Sequence, residues 1–227
     1  IIGDISTGYM TGVEEGAKIA RGLMADAFTH KRIYILEMMG RDSGSHALMS
    51  GASARAHLII LPGFEFKKPI LSAIAKTLNS VDHALVIVAE GYKRKQRAEL
   101  KEALSASDYF KRELLATNLL HEGPMKKITA EPFSRYIRGV RPLSVECAIT
   151  HLKVIMLFDA FAKGGESQWM PYYTGKHDAG MMHFDELVTN NRVLPNYLDL
   201  IDRFNIPELR DYIVSEFKDR DDVKLIQ

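Results

Sequence analysis

The chain has 227 residues, 46% hydrophobic and 26% charged, enough apolar sequence for a sizeable core in one large domain or two small ones. Its net charge of +1 excludes a whole-molecule field for nucleic acid or an anionic membrane, and no run approaches the ~20 apolar residues of a membrane span. Cys147 is the single cysteine, which excludes an intramolecular disulfide and makes a reducing cytoplasm the expected compartment.

The chain opens mid-pattern at Ile1-Ile2-Gly3-Asp4, without Met or a charged leader, as expected of a fragment, a processed subunit or a set of ordered residues. Residues 9–27 read as a helix, with Val13, Ala17, Ala20 and Met24 at helical spacing and Glu14 and Glu15 in the first turn. A strand over 33–39 follows, then a helix over 46–55 rich in small residues. A second strand over 57–61 is stopped by Pro62-Gly63, a helix covers 68–78, and a third strand runs from His83 to Ala89. Strands alternating with helices predict an α/β fold, a mostly parallel sheet with helices on both faces. The uninterrupted runs Leu58–Leu61 and Ala84–Ala89 fit strands buried on both sides.

Beyond the third strand, Lys93, Arg94, Lys95 and Arg97 form a basic cluster. Without interleaved aromatics it reads as a solvated face rather than a nucleic-acid surface. Helical stretches are expected over 97–105 and 107–120. Pro142 to Lys163 reads as a long helix, apolar almost all round and stopped by Gly164-Gly165, so it should be covered on more than one side. Short helices are expected over 184–189, 197–204 and 207–218.

The densest chemical signal is Ile33 to Gly44, where an apolar strand stops at Gly40, Arg41, Asp42, Ser43 and Gly44 before the next helix. That order places Gly40, Arg41 and several backbone N–H groups at the carboxyl edge of a strand. Open α/β sheets bind ligands at that edge, and a helix N-terminus there favours anions. A guanidinium beside such a turn suits phosphate, since its fork meets two oxygens at once.

Arg32, the apolar strand and Met39-Gly40-Arg41 together resemble the phosphofructokinase family, whose members carry a strand ending in Met-Gly-Arg. Other segments agree in order: Gly8 to Val13, Leu58 to Pro62, Val86 to Gly91, and Ser134 to Arg138, so the resemblance runs over roughly residues 3–165. It implies that Arg32 and Arg138 hold the 6-phosphate of fructose 6-phosphate, Arg32 reaching into a neighbouring subunit's site; Arg135, where the family has His or Tyr, is still able to bind phosphate. It implies that Met39 and Gly40 lie beside the sugar, that Arg41 faces the transferred phosphoryl group, and that Glu90 accepts hydrogen bonds from sugar hydroxyls. Asp4 matches the second Asp of the family's catalytic loop. The resemblance also implies ATP or pyrophosphate as donor, Mg2+, a cytoplasmic dimer or tetramer, and a role in glycolysis. The division it suggests is a sugar-phosphate lobe over 1–137 and a helical return segment over 138–227 supporting the donor lobe.

Departures accompany the match. Ile2 stands where the family has its catalytic base, Asp4 is several residues too close to Gly8, and Arg135 replaces a His or Tyr. The family's Gly-rich donor loops would lie upstream of residue 1. A pyrophosphate-dependent enzyme is one alternative expectation, and Ile2 and Arg135 make a non-catalytic regulatory subunit the other. Other motifs are weaker. Ser43 lacks the spacing of a nucleophile elbow, and His177, Asp178 and His183 lack helical metal-ligand spacing. Pro124 breaks any helix that a zinc-protease reading of His121-Glu122 would need, and Cys147 reads as packing.

Overall fold

The computed structural model describes residues 9–39, 43–100, 102–123, 126–132, 169–173, 179–183 and 200–217. Its elements are α1 (Tyr9–His30), β1 (Arg32–Met38), α2 (Ser45–Ser53), β2 (Leu58–Ile60), α3 (Lys68–Ser80), β3 (Ala84–Ala89), α4 (Arg94–Ala98), α5 (Ala106–Leu115), β4 (Lys127–Glu131), β5 (Trp169–Tyr173), β6 (Ala179–His183) and α6 (Pro207–Phe217).

Strands β1 to β4 form one sheet in the order β2-β3-β1-β4, and every pairing in it is parallel. All six residues of β3 are buried, which fits a central strand covered on both faces. The helices divide accordingly: α1 packs with α2, and α3 packs with α5 and α6. Neighbouring residues of β1 show that these are opposite faces. Met38 meets α1 at Gly16, whereas Glu37 reaches α5 at Ala106, as the two-residue period of a strand requires. This is the α/β sheet with helices on both faces expected from the sequence.

The second face carries an aromatic cluster of Phe64, Phe66, Tyr92, Phe110 and Tyr212, with ring centroids between 5.3 and 6.4 Å apart. Tyr212 brings α6 into it, and the Glu65 amide donates to the Tyr212 hydroxyl at 2.8 Å. Residues near 200 therefore close the outer edge of β2, where Asp202 bridges Leu58 and the Arg203 amide donates to His57 at 3.1 Å.

Several expectations need correction. The helix expected over 97–105 is instead the short α4, and residues 102–105 are extended or bent. Arg97 explains the stop, because its guanidinium is spent on backbone carbonyls around it. The helix expected to 120 ends at Leu115, and Asn118 takes a left-handed backbone (φ 59°) that α-helices cannot continue through. Of the helix expected over 197–204, the described part is helical at Leu200 and Ile201 and then leaves the helix for a bridge at Asp202. Strands β4, β5 and β6 were not foreseen, and β5 with β6 makes an antiparallel pair inside the stretch expected to be helical. The expected helices over 142–163 and 184–189 lie outside the described residues.

Candidate functional site

From β1 the chain passes to α2 on one face of the sheet, and from β3 it passes through α4 to α5 on the other. Strands β1 and β3 are neighbours, so their loops leave in opposite directions and open a crevice at their carboxyl ends. Ligands of open α/β sheets bind at such a switch point. Met39 stands at one lip, 44% exposed, and half-buried Glu90 at the other. The Glu90 amide donates to the Met38 carbonyl at 2.8 Å, so the β1–β3 ladder carries into the loops and sets the two lips against each other.

On the β1 side the turn runs into α2 through Gly44, whose φ of 66° suits glycine. A Cβ there would come within 2.5 Å of the Pro62 ring, so a side chain is excluded twice over. The Ser43 hydroxyl lies 3.1 Å from that of Ser45, a group with no basicity to activate it, and Tyr9 donates to the Ser45 carbonyl at 3.3 Å. The beginnings of α1 and α2 are thereby held together beside the crevice.

On the β3 side, Glu37 and Arg97 build the support. The Glu37 carboxylate accepts from the Ala106 amide at the start of α5. Burial pushes its pKa up, while the Ala106 amide and nearby Arg97 pull it down. Arg97 donates to the Tyr92 carbonyl at 2.9 Å, to the Leu104 carbonyl at 3.0 Å, and to the Glu90 carbonyl. Lys93 is spent as well, pairing with Glu113, which also accepts from the Tyr92 hydroxyl at 2.8 Å. Two of the four cations expected on a solvated face thus hold the turn together. Sequence reading missed Glu37 and Arg97, although an isolated acid inside the apolar strand Ile33–Met39 was a usable signal.

Arg32 does not join Met39 and Glu90. It opens β1, so at ~3.3 Å per residue it stands about 20 Å away along the strand, at the opposite edge of the sheet. There its guanidinium lies 3.3 Å from the Tyr34 hydroxyl and 3.8 Å from Asp26, whose carboxylate also accepts from Tyr34. The candidates Asp4, Gly40, Arg41, Arg135 and Arg138 lie outside the described residues, as do His177 and Asp178. Strand β4 ends at Glu131 on the same edge as Met39, and Ser134 to Arg138 follow closely in sequence. Among the described residues, no group of three or more His, Cys, Asp or Glu could hold a metal ion. Nor is any described helix long and apolar enough to cross a membrane.

The chain is 34% identical over 125 residues to an ATP-dependent 6-phosphofructokinase of Streptococcus mutans, covering 52% of the chain and 35% of that protein. It is 36% identical over 118 residues to a pyrophosphate–fructose 6-phosphate 1-phosphotransferase of Naegleria fowleri, covering 44% of the chain and 27% of the relative. The chain therefore spans about a third of the length of the curated relatives it matches. Among solved structures, phosphofructokinase from Saccharomyces cerevisiae aligns with a TM-score of 0.59 at 18% identity, over 82% of the chain and 24% of that protein. A pyrophosphate-dependent phosphofructokinase from Nitrosospira multiformis gives 0.57 at 15% identity, over 85% and 55%; at these identities the likeness is one of fold. A family model described as Phosphofructokinase matches residues 1–153, more than half of the sequence, and the chain belongs to the phosphofructokinase family.

Proposed function

We propose that this chain supplies the sugar-phosphate part of a 6-phosphofructokinase, which transfers a phosphoryl group from ATP to the 1-hydroxyl of fructose 6-phosphate. The observation that carries the reading is that Met39 and Glu90 leave adjacent strands at the β1–β3 switch point, where the Glu90 amide bonds the Met38 carbonyl. Glu90 accepts from sugar hydroxyls, a task suited to a carboxylate because it only accepts. Met39 and Gly40 lie beside the sugar, and Arg41 faces the transferred group. Arg135 and Arg138 hold the 6-phosphate, and Asp4 belongs to the catalytic loop. Residues 1–137 form the sugar-phosphate lobe, with 138–227 returning to the donor lobe. Arg32, at the far edge of the sheet, serves the site of a second copy, so the working protein is a dimer or tetramer in the cytoplasm.

Phosphoryl transfer rests on positioning and charge neutralisation, which magnesium supplies when bound with the donor. The described residues do not fit a protein-held magnesium: Glu37 is committed to Ala106, and no acidic cluster stands beside Glu90. Magnesium is accordingly assigned to the donor phosphates, the usual partners of this ion.

Two observations favour other readings. Similarity to the Naegleria fowleri relative favours pyrophosphate as donor. Ile2 at the base position favours a non-catalytic regulatory subunit, since an alkyl side chain accepts no proton. The test is formation of fructose 1,6-bisphosphate by the intact protein with ATP or pyrophosphate, alongside binding of fructose 6-phosphate. Turnover with ATP is the expected result. Turnover with pyrophosphate alone would replace the donor, binding without turnover would leave the regulatory subunit, and absence of both would overturn the reading.

A further inference from the structure

Arg97 is an unusual residue to find on a short surface helix, because its guanidinium points back into the protein. Its three contacts are all backbone carbonyls, and they come from three places: Glu90 at the end of β3, Tyr92 in the following turn, and Leu104 just before α5. The Tyr92 amide donates to the Ala89 carbonyl at 2.9 Å and the Arg94 amide to the Gly91 carbonyl at 3.2 Å, so the turn is tight before any ligand arrives. Leu104 leads into the N-terminus of α5, and there the Ala106 amide is held by Glu37 of β1. One guanidinium therefore closes a ring running Glu37, α5, Leu104, Arg97, Glu90. That ring ties the ends of β1 and β3 to each other at the switch point.

Charge works in the same direction. Glu37 and Glu90 both lie close enough to interact electrostatically with Arg97, and Glu90 raises the cost of ionising Glu37. The Arg97 cation offsets that cost and helps keep the Glu37 carboxylate an acceptor for Ala106. Lysine at the same place would bring one ammonium, which lacks the planar fork that reaches separated carbonyls at once.

We infer that Arg97 is a positioning residue for sugar recognition: it fixes the Glu90 backbone so that the carboxylate presents to the sugar hydroxyls without touching the sugar itself. This rests on the assignment of Glu90 to the sugar made above. The consequence is a preorganised acceptor, whose ordering is completed on folding rather than on binding.

The test is a double-mutant cycle in the intact protein, reading fructose 6-phosphate affinity for the wild type, Arg97→Lys, Glu90→Gln and the double variant, with melting curves for each. Arg97→Lys is expected to weaken binding about tenfold in the wild-type background and by about twofold or less in Glu90→Gln, because residues acting through one contact are non-additive. Equal losses in both backgrounds would mean that Arg97 only stabilises the fold. No loss from Arg97→Lys, with Glu90→Gln still weakened, would overturn the positioning role and spare the sugar assignment. No loss from Glu90→Gln would overturn the sugar assignment itself. Should Arg97→Lys fail to fold, hydrogen exchange on the wild type decides. Slow exchange of the Tyr92 and Arg94 amides before ligand is added supports the inference, and protection gained only with fructose 6-phosphate contradicts it.

Discussion

A Cβ on Gly12 would lie 2.2 Å from Nε2 of His46, so the buried imidazole of α2 occupies the space that the glycine of α1 leaves open. Burial pushes the His46 pKa down, opposed by hydrogen bonding with the Gly12 backbone, and the ring sits edge-on to Tyr9 at 6.0 Å. Four residues on, Gly16 makes the same close approach: a Cβ there would be 2.7 Å from the Ser50 hydroxyl and 2.9 Å from the Met38 sulfur. The two helices that begin beside the crevice are thus held in contact by two small residues one turn apart.

Gly12→Ala is expected to destabilise the protein by about 1–3 kcal/mol, the usual cost of overpacking, despite alanine's better helix propensity. A buried ring enclosed by two helices has little room to move aside. Denaturant unfolding checks this, and an unchanged or raised midpoint would mean that His46 can swing away.

Acid stability should reflect His57. Its Nδ1 accepts from the Leu85 amide at 3.2 Å and its ring stacks on Phe204 at 4.9 Å. Burial, then Arg203 and His83, hold its pKa down at about 4. The unfolded chain binds this proton near pH 6.5 and the folded chain only near 4, so stability is fully present above 6.5 and is lost as pH falls between those values. His57→Asn keeps an acceptor for Leu85 and removes the titration. It is expected to flatten the stability profile between pH 6.5 and 4, and an unchanged slope would assign the loss to other groups.

Lys126 ends α3 by bonding three carbonyls at once, those of Leu78 at 2.7 Å, Asn79 at 2.9 Å and Val81. These are the carbonyls a helix leaves unpaired at its C-terminus, where positive charge is also favoured. Lys126→Met keeps much of the side-chain volume and removes the donors. A loss of about 1–2 kcal/mol is expected, at the lower end for charged hydrogen bonds because the site is half-exposed. Thermal or urea unfolding reads it directly.

The separation of Arg32 from Met39 makes a statement about assembly. If Arg32 serves the site of another copy, Arg32→Ala and Arg138→Ala damage different halves of a shared pocket. Each variant alone should lose activity about tenfold or more, as expected when a charged contact is removed. Mixing the two under subunit exchange should restore part of it, because some interfaces then contain both intact residues. Mixtures no more active than their components would place Arg32 outside the site.

The central sheet was legible because β2 and β3 are continuous apolar runs, and a run buried on both faces needs no periodicity to announce itself. Edge elements were not. Strand β4, Lys-Ile-Thr-Ala-Glu, carries one large apolar residue, and β5 contains Pro171, which argues against a strand in any sequence reading. The residues 97–105 have helix-favouring composition, but Arg97's side-chain bonds to carbonyls five to seven residues away on either side hold a non-helical turn that propensity alone does not register. Met39 and Glu90 were singled out through their motifs, whereas Glu37 and Arg97 were not. Glu37's partner, the Ala106 amide, is brought near only by the fold, and Arg97's are backbone carbonyls of its own turn, which carry no side-chain signal.

The most direct test of the sugar-phosphate assignment is calorimetric titration of the intact protein with fructose 6-phosphate, wild type against Arg138→Ala. Removing a charged partner from a phosphate should cost about 1.5–3 kcal/mol, roughly ten- to hundredfold in Kd. A weakening of that size is the result expected if this chain holds the sugar phosphate. An affinity unchanged by Arg138→Ala, or no binding by the wild type, would contradict it.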